Sequence, residues 1–378
     1  MGGATSTAVL VGVFAWLALR PPMPRHSSPF NLRFGVAWLI CELPLLGMLW
    51  LAVGTWSTLS RPETDEALWW VVVVVVAFDV VVLVQLLARM RKARPTLAEA
   101  FAETFGPGDP PSATRPLWWR IVLVPFVSWR PDVRRIANLS YGPSRRGNRL
   151  DVYVPRRRRR AGAPVLVYLH PGGFVMGSKK LGGHPLLTRF AAHGWVCVTA
   201  DYRLRGVSYA DQLADARAAI EWARTHASEW GGDPDTLFVA GGSAGAHLVA
   251  TAALSGTEVS GVIGLYGYYG EVGGAGTDPS GPAELIGPDA PPFLIVHGSV
   301  DTLVLPDDVR AFAEALDAVS TRPVVHAEIP GMHHNFGFFH SLRSTRIDDA
   351  IEHFARVIID RESVATPSGR RGRDAARS

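Results

Sequence analysis

Gly241-Gly242-Ser243-Ala244-Gly245 stands between the apolar run Leu237-Phe238-Val239-Ala240 and the helix-like stretch Ala246 to Leu254. A Gly-x-Ser-x-Gly segment at a strand-to-helix corner forces its serine into a strained backbone, and the glycines remove Cβ atoms that would clash with the neighbouring strand and helix. The corner exposes the hydroxyl of Ser243 and marks it as a candidate nucleophile. The five-residue pattern is common by chance, so its weight comes from what surrounds it.

Other loops follow apolar strands in the same way. Val165-Leu166-Val167-Tyr168-Leu169 runs into His170-Pro171-Gly172-Gly173-Phe174. Glycines there let backbone N–H groups approach a developing oxyanion, each donor being worth roughly 2.7 to 4 kcal/mol. Proline has no N–H, which leaves Gly172 and Gly173, with Ala244, as the expected donors. A plain tight turn is the competing reading. Phe293 to His297 delivers Gly298-Ser299-Val300-Asp301. Asp301, nearest the strand end, is the candidate acid that would hold an imidazole in the right tautomer, while Asp307 and Asp308 read as helix caps. After the strand Val324 to Ile329 comes Pro330-Gly331-Met332-His333-His334-Asn335-Phe336, which offers two histidines as general base. Metal binding by that pair lacks a Cys or carboxylate at ligand spacing. His247, inside the nucleophile helix, reads as a packed residue, and His170 as a brace for its loop.

The candidates therefore run Ser, Asp, His along the chain, each just past the carboxyl end of an expected strand, where open α/β sheets form their sites. These residues resemble the hormone-sensitive-lipase-like branch of the α/β-hydrolase superfamily, close to bacterial carboxylesterases and acetyl esterases. The likeness spans about Leu139 to Phe354, with Leu150 to Pro155, Ala200 to Leu204 and the Asp211 to Arg224 helix as supporting pieces. It implies an α/β-hydrolase fold, a mostly parallel sheet with helices on both faces, and ester hydrolysis through an acyl-enzyme without metal or organic cofactor. The spacing Gly331-x-x-His334-x-Phe336 is similar to the family's histidine loop and selects His334 as base. Pro171 departs from the family's usual His-Gly-Gly-Gly. The Gly- and Pro-rich stretch between Tyr266 and Phe293 reads as loop, too short for a large lid.

The N-terminal part has a different character. Phe34 to Leu59 carries no charge except Glu42, and Leu68 to Ala88 none except Asp79, with six consecutive valines at Val71 to Val76. Each reaches the ~20 residues that cross a bilayer as a helix. Ala8 to Leu19 is a shorter apolar stretch, read as a third span rather than a signal peptide, since no Lys or Arg precedes it. Glu42 and Asp79 are expected to pair with polar groups or with each other. Arg20, Arg25 and Arg33 lie in the first connection, Glu63, Asp65 and Glu66 in the second, and Arg89, Arg91, Lys92 and Arg94 after the last span. The positive-inside rule then puts the catalytic part in the cytoplasm.

The expected organisation is a membrane region over 1–95 with two or three spans, a basic Trp-rich juxtamembrane or lid linker over 96–135, a catalytic domain over 136–362 and a disordered basic tail over 363–378. Arg115 to Arg160 holds thirteen arginines against Asp132 and Asp151. Anionic lipid headgroups or plain solvation both fit this excess; nucleic acid does not, because no aromatic-basic recognition motif accompanies it. Leu117 to Trp129 fits either a membrane interface or core packing. Cys41 and Cys197 indicate no disulfide framework. The expected function is a membrane-anchored serine carboxylesterase acting on small or lipophilic esters. A lipid deacetylase, a prenylcysteine-type methylesterase, an amidase of the same fold and an inactive membrane scaffold stay open.

Overall fold

The computed structural model describes residues 9–365 apart from 11, 14–15, 21–31, 60–65, 109, 158–160 and 273–278. The connection around Glu63, the end of the Arg156 to Arg160 run and the basic tail lie outside the described residues.

Eight strands form one sheet: β1 (Val133–Ser140), β2 (Arg149–Pro155), β3 (Ala163–Leu169), β4 (Val196–Ala200), β5 (Gly232–Gly242), β6 (Gly261–Leu265), β7 (Phe293–Gly298) and β8 (Val324–Ile329). Their spatial order is β1-β2-β4-β3-β5-β6-β7-β8. The first two pairings are antiparallel and the remainder parallel. Continuous apolar runs such as Val165 to Leu169 suit central parallel strands, which are covered on both faces. Side chains alternate accordingly. Val165, Val167 and Leu169 pack with Leu213, Ile220, Leu248 and Phe312 on one face, whereas Leu166 and Tyr168 pack with Leu187, Phe190, Ile351 and Phe354 on the other.

From Leu32 onward, the α-helices among the described residues are α1 (Leu32–Glu42), α2 (Pro44–Leu59), α3 (Glu66–Arg91), α4 (Ala93–Phe105), α5 (Trp118–Leu123), α6 (His184–Ala192), α7 (Tyr209–His226), α8 (Ala244–Leu254), α9 (Pro306–Val319) and α10 (Leu342–Ala365). Asp307 and Asp308 lie in the first turn of α9, after Leu305 at the N-cap. They face its positive dipole end instead of capping it.

Two features differ from the expected organisation. Parts of the 1–95 and 96–135 segments belong to the folded domain: Ala93, Leu97, Ala100 and Phe101 recur at helical spacing on α4 and join the core on the Phe354 face, and β1, which begins at Val133, forms the sheet edge. Phe34 to Leu59 is not one straight span. Its two helices, Phe34–Glu42 and Pro44–Ser57, meet at a bend of 98° and pass as a span only if the bent pair is taken together; among the described residues, Trp69–Phe105, which continues from α3 into α4, is long and apolar enough by length and composition to cross a membrane. Pro44 explains the bend, because proline lacks the N–H of a continuing helix and its ring clashes with the preceding turn.

The two motif glycines are set by packing at the corner. A Cβ on Gly245 would overlap the carbonyl oxygen of Leu169, and one on Gly241 would overlap the backbone of Gly245 itself. Both obstacles are backbone and cannot swing away. Gly245→Ala is expected to cost about 3 kcal/mol, lowering Tm by roughly 6 to 12 °C. Gly35→Ala on α1, where an added Cβ meets open space, should leave Tm unchanged or raise it slightly, since alanine favours a helix over glycine; equal Tm values for both variants would contradict this packing.

Candidate active site

Strand β5 ends at Gly242 and helix α8 begins at Ala244, so Ser243 is the single residue that turns the corner. Its backbone has φ 51° and ψ −116°, a region costly for a residue with a Cβ. The N–H of Ser243 donates to Leu265 O at 3.0 Å, and its carbonyl accepts from His247 N at 3.1 Å. Locked from both sides, the serine presents Oγ to the histidine loop. His334 Nε2 lies 3.0 Å from that Oγ.

The other face of the imidazole meets the acid. His334 Nδ1 is 2.6 Å from Asp301 Oδ2, while Asp301 Oδ1 accepts from the amides of Leu303 at 2.9 Å and Val304 at 3.0 Å. Burial opposes the charge on Asp301, but His334, His297 and the Val304 amide outweigh it and hold its carboxyl below the ordinary carboxylate range. Asp301 is thus an ionised acceptor, and Nδ1 is the donor. This fixes the tautomer whose Nε2 can take a proton from Ser243. His333 points elsewhere, with Nε2 3.3 Å from Ala18 O and its ring edge-on to Phe34.

The glycine loop lies beside this relay. A Cβ on Gly245 would also crowd His170 O, so the first turn of α8 sits against the start of that loop. Gly172 has φ +147° and a Cβ there would overlap Met176 O, which makes glycine obligatory. Among the described residues, the N–H groups of Gly172 and Gly173 donate to no backbone carbonyl, and Ala244 is in the first helical turn, where N–H groups have no intrahelical acceptor. His170 braces the loop, with Nδ1 2.8 Å from Pro171 O and its ring stacked on Tyr202 at 4.3 Å.

Sequence reasoning missed His297 and could not place Tyr266 beyond expecting it to help shape the pocket. His297, in β7, is buried and sits 3.4 Å from Asp301 Oδ2 while its Nε2 is 3.1 Å from Val304 O. Tyr266, with φ 41°, sets its ring edge-on to His334 at 4.9 Å. His297 looked like any strand residue, and only its position four before Asp301 hinted at a shared site. His247 is buried between Tyr209 OH at 2.8 Å and Tyr268 O at 3.1 Å. Among the described residues, no group of His, Cys, Asp or Glu is arranged to hold a metal ion.

The family described as BD-FAE matches residues 150–269. Thermogutta terrifontis esterase 2, solved after phosphorylation by paraoxon, superposes with a TM-score of 0.53 and 27% identity, over 59% of this chain and 93% of that one. The chain has the α/β-hydrolase fold. This hydrolase-fold chain is 28% identical to the probable carboxylic ester hydrolase LipM of Mycobacterium tuberculosis, over 97% of its own length and 96% of that protein. It is 31% identical to the esterase LipQ of the same organism, over 60% of its length and 63% of LipQ. Its relatives are thus ester hydrolases.

Burial pushes the imidazoles of His247 and His333 down to about 4. Both are therefore neutral in the folded state where the unfolded chain already takes up protons. Stability should fall as pH drops from about 6.5 toward about 4. A thermal scan across that window checks this: Tm is expected to decline steadily, with a shallower slope in His247→Gln, and a flat profile would contradict burial of these rings.

Proposed function

We propose that the chain is a membrane-anchored serine carboxylesterase of the hormone-sensitive-lipase-like branch. The observation that carries this reading is the continuous relay from Asp301 Oδ2 through His334 to Ser243 Oγ, with separations of 2.6 and 3.0 Å. In the first half-reaction Ser243 Oγ attacks the ester carbonyl carbon and gives its proton to His334 Nε2. Asp301 stabilises the resulting imidazolium without itself taking the proton. Negative charge on the former carbonyl oxygen falls to the N–H groups of Gly172, Gly173 and Ala244. The tetrahedral intermediate collapses, the alcohol leaves with the proton from His334, and an acyl-enzyme remains. Water then gives a proton to His334 as it attacks the acyl carbon, and that proton returns to Ser243 as the acid departs.

The natural substrate on this reading is a lipophilic ester. What supports it is the placement of apolar helices against the histidine loop: Trp38 Nε1 donates to Asn335 O at 3.0 Å, one residue from His334. The same tryptophan packs on Phe338 and Phe339, and Phe339 packs on Phe126. Phe126 belongs to a surface where Trp118, Trp119, Leu123 and Trp129 are all exposed, composition typical of a membrane interface. On this reading helix α3 is the anchor and the catalytic part faces the cytoplasm; Arg89 and Arg91 at the end of α3 support that orientation through the positive-inside rule. Anionic headgroups are its expected surface partners.

Hydrolysis of p-nitrophenyl esters from acetate to palmitate by detergent-purified protein tests the chemistry. Ser243→Ala should lower kcat by about 10⁶-fold and Asp301→Asn by about 10⁴-fold. Turnover that survives Ser243→Ala would refute the nucleophile assignment, and equal rates on soluble and bilayer-resident esters would refute the lipophilic preference.

A further inference from the structure

Arg343, in the first turn of α10, is the largest fully buried side chain among the described residues, and its guanidinium meets Cys41 and Glu42 at the end of α1. Its Nη1 lies 3.2 Å from Glu42 Oε1, 3.2 Å from Cys41 O and 3.1 Å from Cys41 Sγ. Its Nη2 donates to Gly331 O at 2.9 Å. Ser341 Oγ donates to Glu42 Oε2 at 3.2 Å, and Cys41 Sγ reaches Gly331 O at 3.3 Å. The bend between α1 and α2 therefore delivers a carboxylate to an arginine whose other nitrogen holds the loop that carries His334.

That loop is held at alternate residues on either side of His334. Gly331 is held by Arg343 and Cys41, His333 by Ala18 O and the Phe34 ring, and Asn335 by the Trp38 indole. Gly331 and Asn335 both have left-handed backbone, at φ +65° and +63°. The segment after β7 holds one side of the loop, since Gly331 N donates to Ser299 Oγ at 2.8 Å and Met332 O accepts from Val300 N at 3.2 Å; the contacts from the N-terminal helices hold the other. Arg89 of α3 packs there as well, since a Cβ on Gly331 would come within 2.7 Å of Arg89 Cδ.

We propose that the Arg343–Glu42 pair, with Cys41 and Trp38, positions His334 by clamping residues 331–335 against the N-terminal helices. The helical region then completes the active site in addition to anchoring it. A buried ion pair is a poor source of stability, because desolvation of both charges offsets their attraction, and apolar replacements of similar volume are often neutral or stabilising. What such replacements cannot supply is the guanidinium bond to Gly331 O. Misplacement of a catalytic group by about 1 Å can cost on the order of 10²-fold in rate, which is the scale of effect expected.

The inference rests on the esterase reading of Ser243, Asp301 and His334, and its test separates the two. The double variant Glu42→Leu/Arg343→Met and the single variant Trp38→Phe are compared with wild-type full-length protein in detergent. Measurements are Tm, kcat and KM on a soluble p-nitrophenyl ester, and hydrogen exchange of residues 331–337. Expected for the double variant are a Tm within about 4 °C of wild type, kcat lower by about tenfold to a hundredfold, KM unchanged, and faster loop exchange. Trp38→Phe keeps the aromatic packing but loses the bond to Asn335 O, and should show the same pattern more weakly even if the double variant does not fold. Variants of an active wild type with unchanged kcat and unchanged loop exchange overturn the positioning role. A wild type without turnover whose variants still show faster loop exchange overturns the esterase reading and supports the clamp.

Discussion

The first turn of α8 lies against the carboxyl end of β3 so closely that no side chain fits at residue 245. This contact sets the distance between the serine corner and the glycine loop. Because Ser243 is also tied to Leu265 O, it cannot relax out of its positive-φ conformation without breaking the junction of three adjacent strands. The strain at the serine is therefore sustained by the packing of the sheet around it. A parallel sheet suits this purpose, since β3, β5, β6 and β7 all end on the same side and each contributes one piece of the site.

The electrostatics follow from burial at those strand ends. Asp301 is almost inaccessible, where an isolated carboxylate would be too costly to keep charged. Two backbone amides and two imidazoles surround it and preserve its charge. His297 lies 3.4 Å from the same Oδ2 that meets His334, and the amides of Leu303 and Val304 hold Oδ1, so both carboxylate oxygens are fixed in place. Burial of His247 and His333 keeps those rings neutral, and it is His334 whose Nε2 lies 3.0 Å from Ser243 Oγ. The neighbouring His333 spends its ring nitrogen on Ala18 O, in the packing of the N-terminal helices.

The sheet was legible because each central strand is an unbroken apolar run, and the Ser, Asp and His candidates were legible because each stands directly after such a run. Local patterning carries that information. The stripe Ala93, Leu97, Ala100 and Phe101 was equally present in the sequence but straddled the boundary between the segment read as membrane region and the one read as linker. Pro44 likewise signalled a break within Phe34 to Leu59 that uniform hydropathy concealed. The partnership of Glu42 with Arg343 was illegible for another reason: the two residues are 301 positions apart, and nothing local to either shows which of many arginines a lone acid will meet. Tyr266 and His297 are ordinary strand-end residues until the fold brings them to His334 and Asp301.

The central claim is that Ser243 is the group that attacks, and trapping it covalently tests this most directly. Folded protein exposed to a fluorophosphonate should gain one phosphonyl group by intact mass, and peptide mapping should place it on Ser243. Ser243→Ala should gain none. A wild-type protein that stays unmodified, or a label found on another residue, would contradict the assignment.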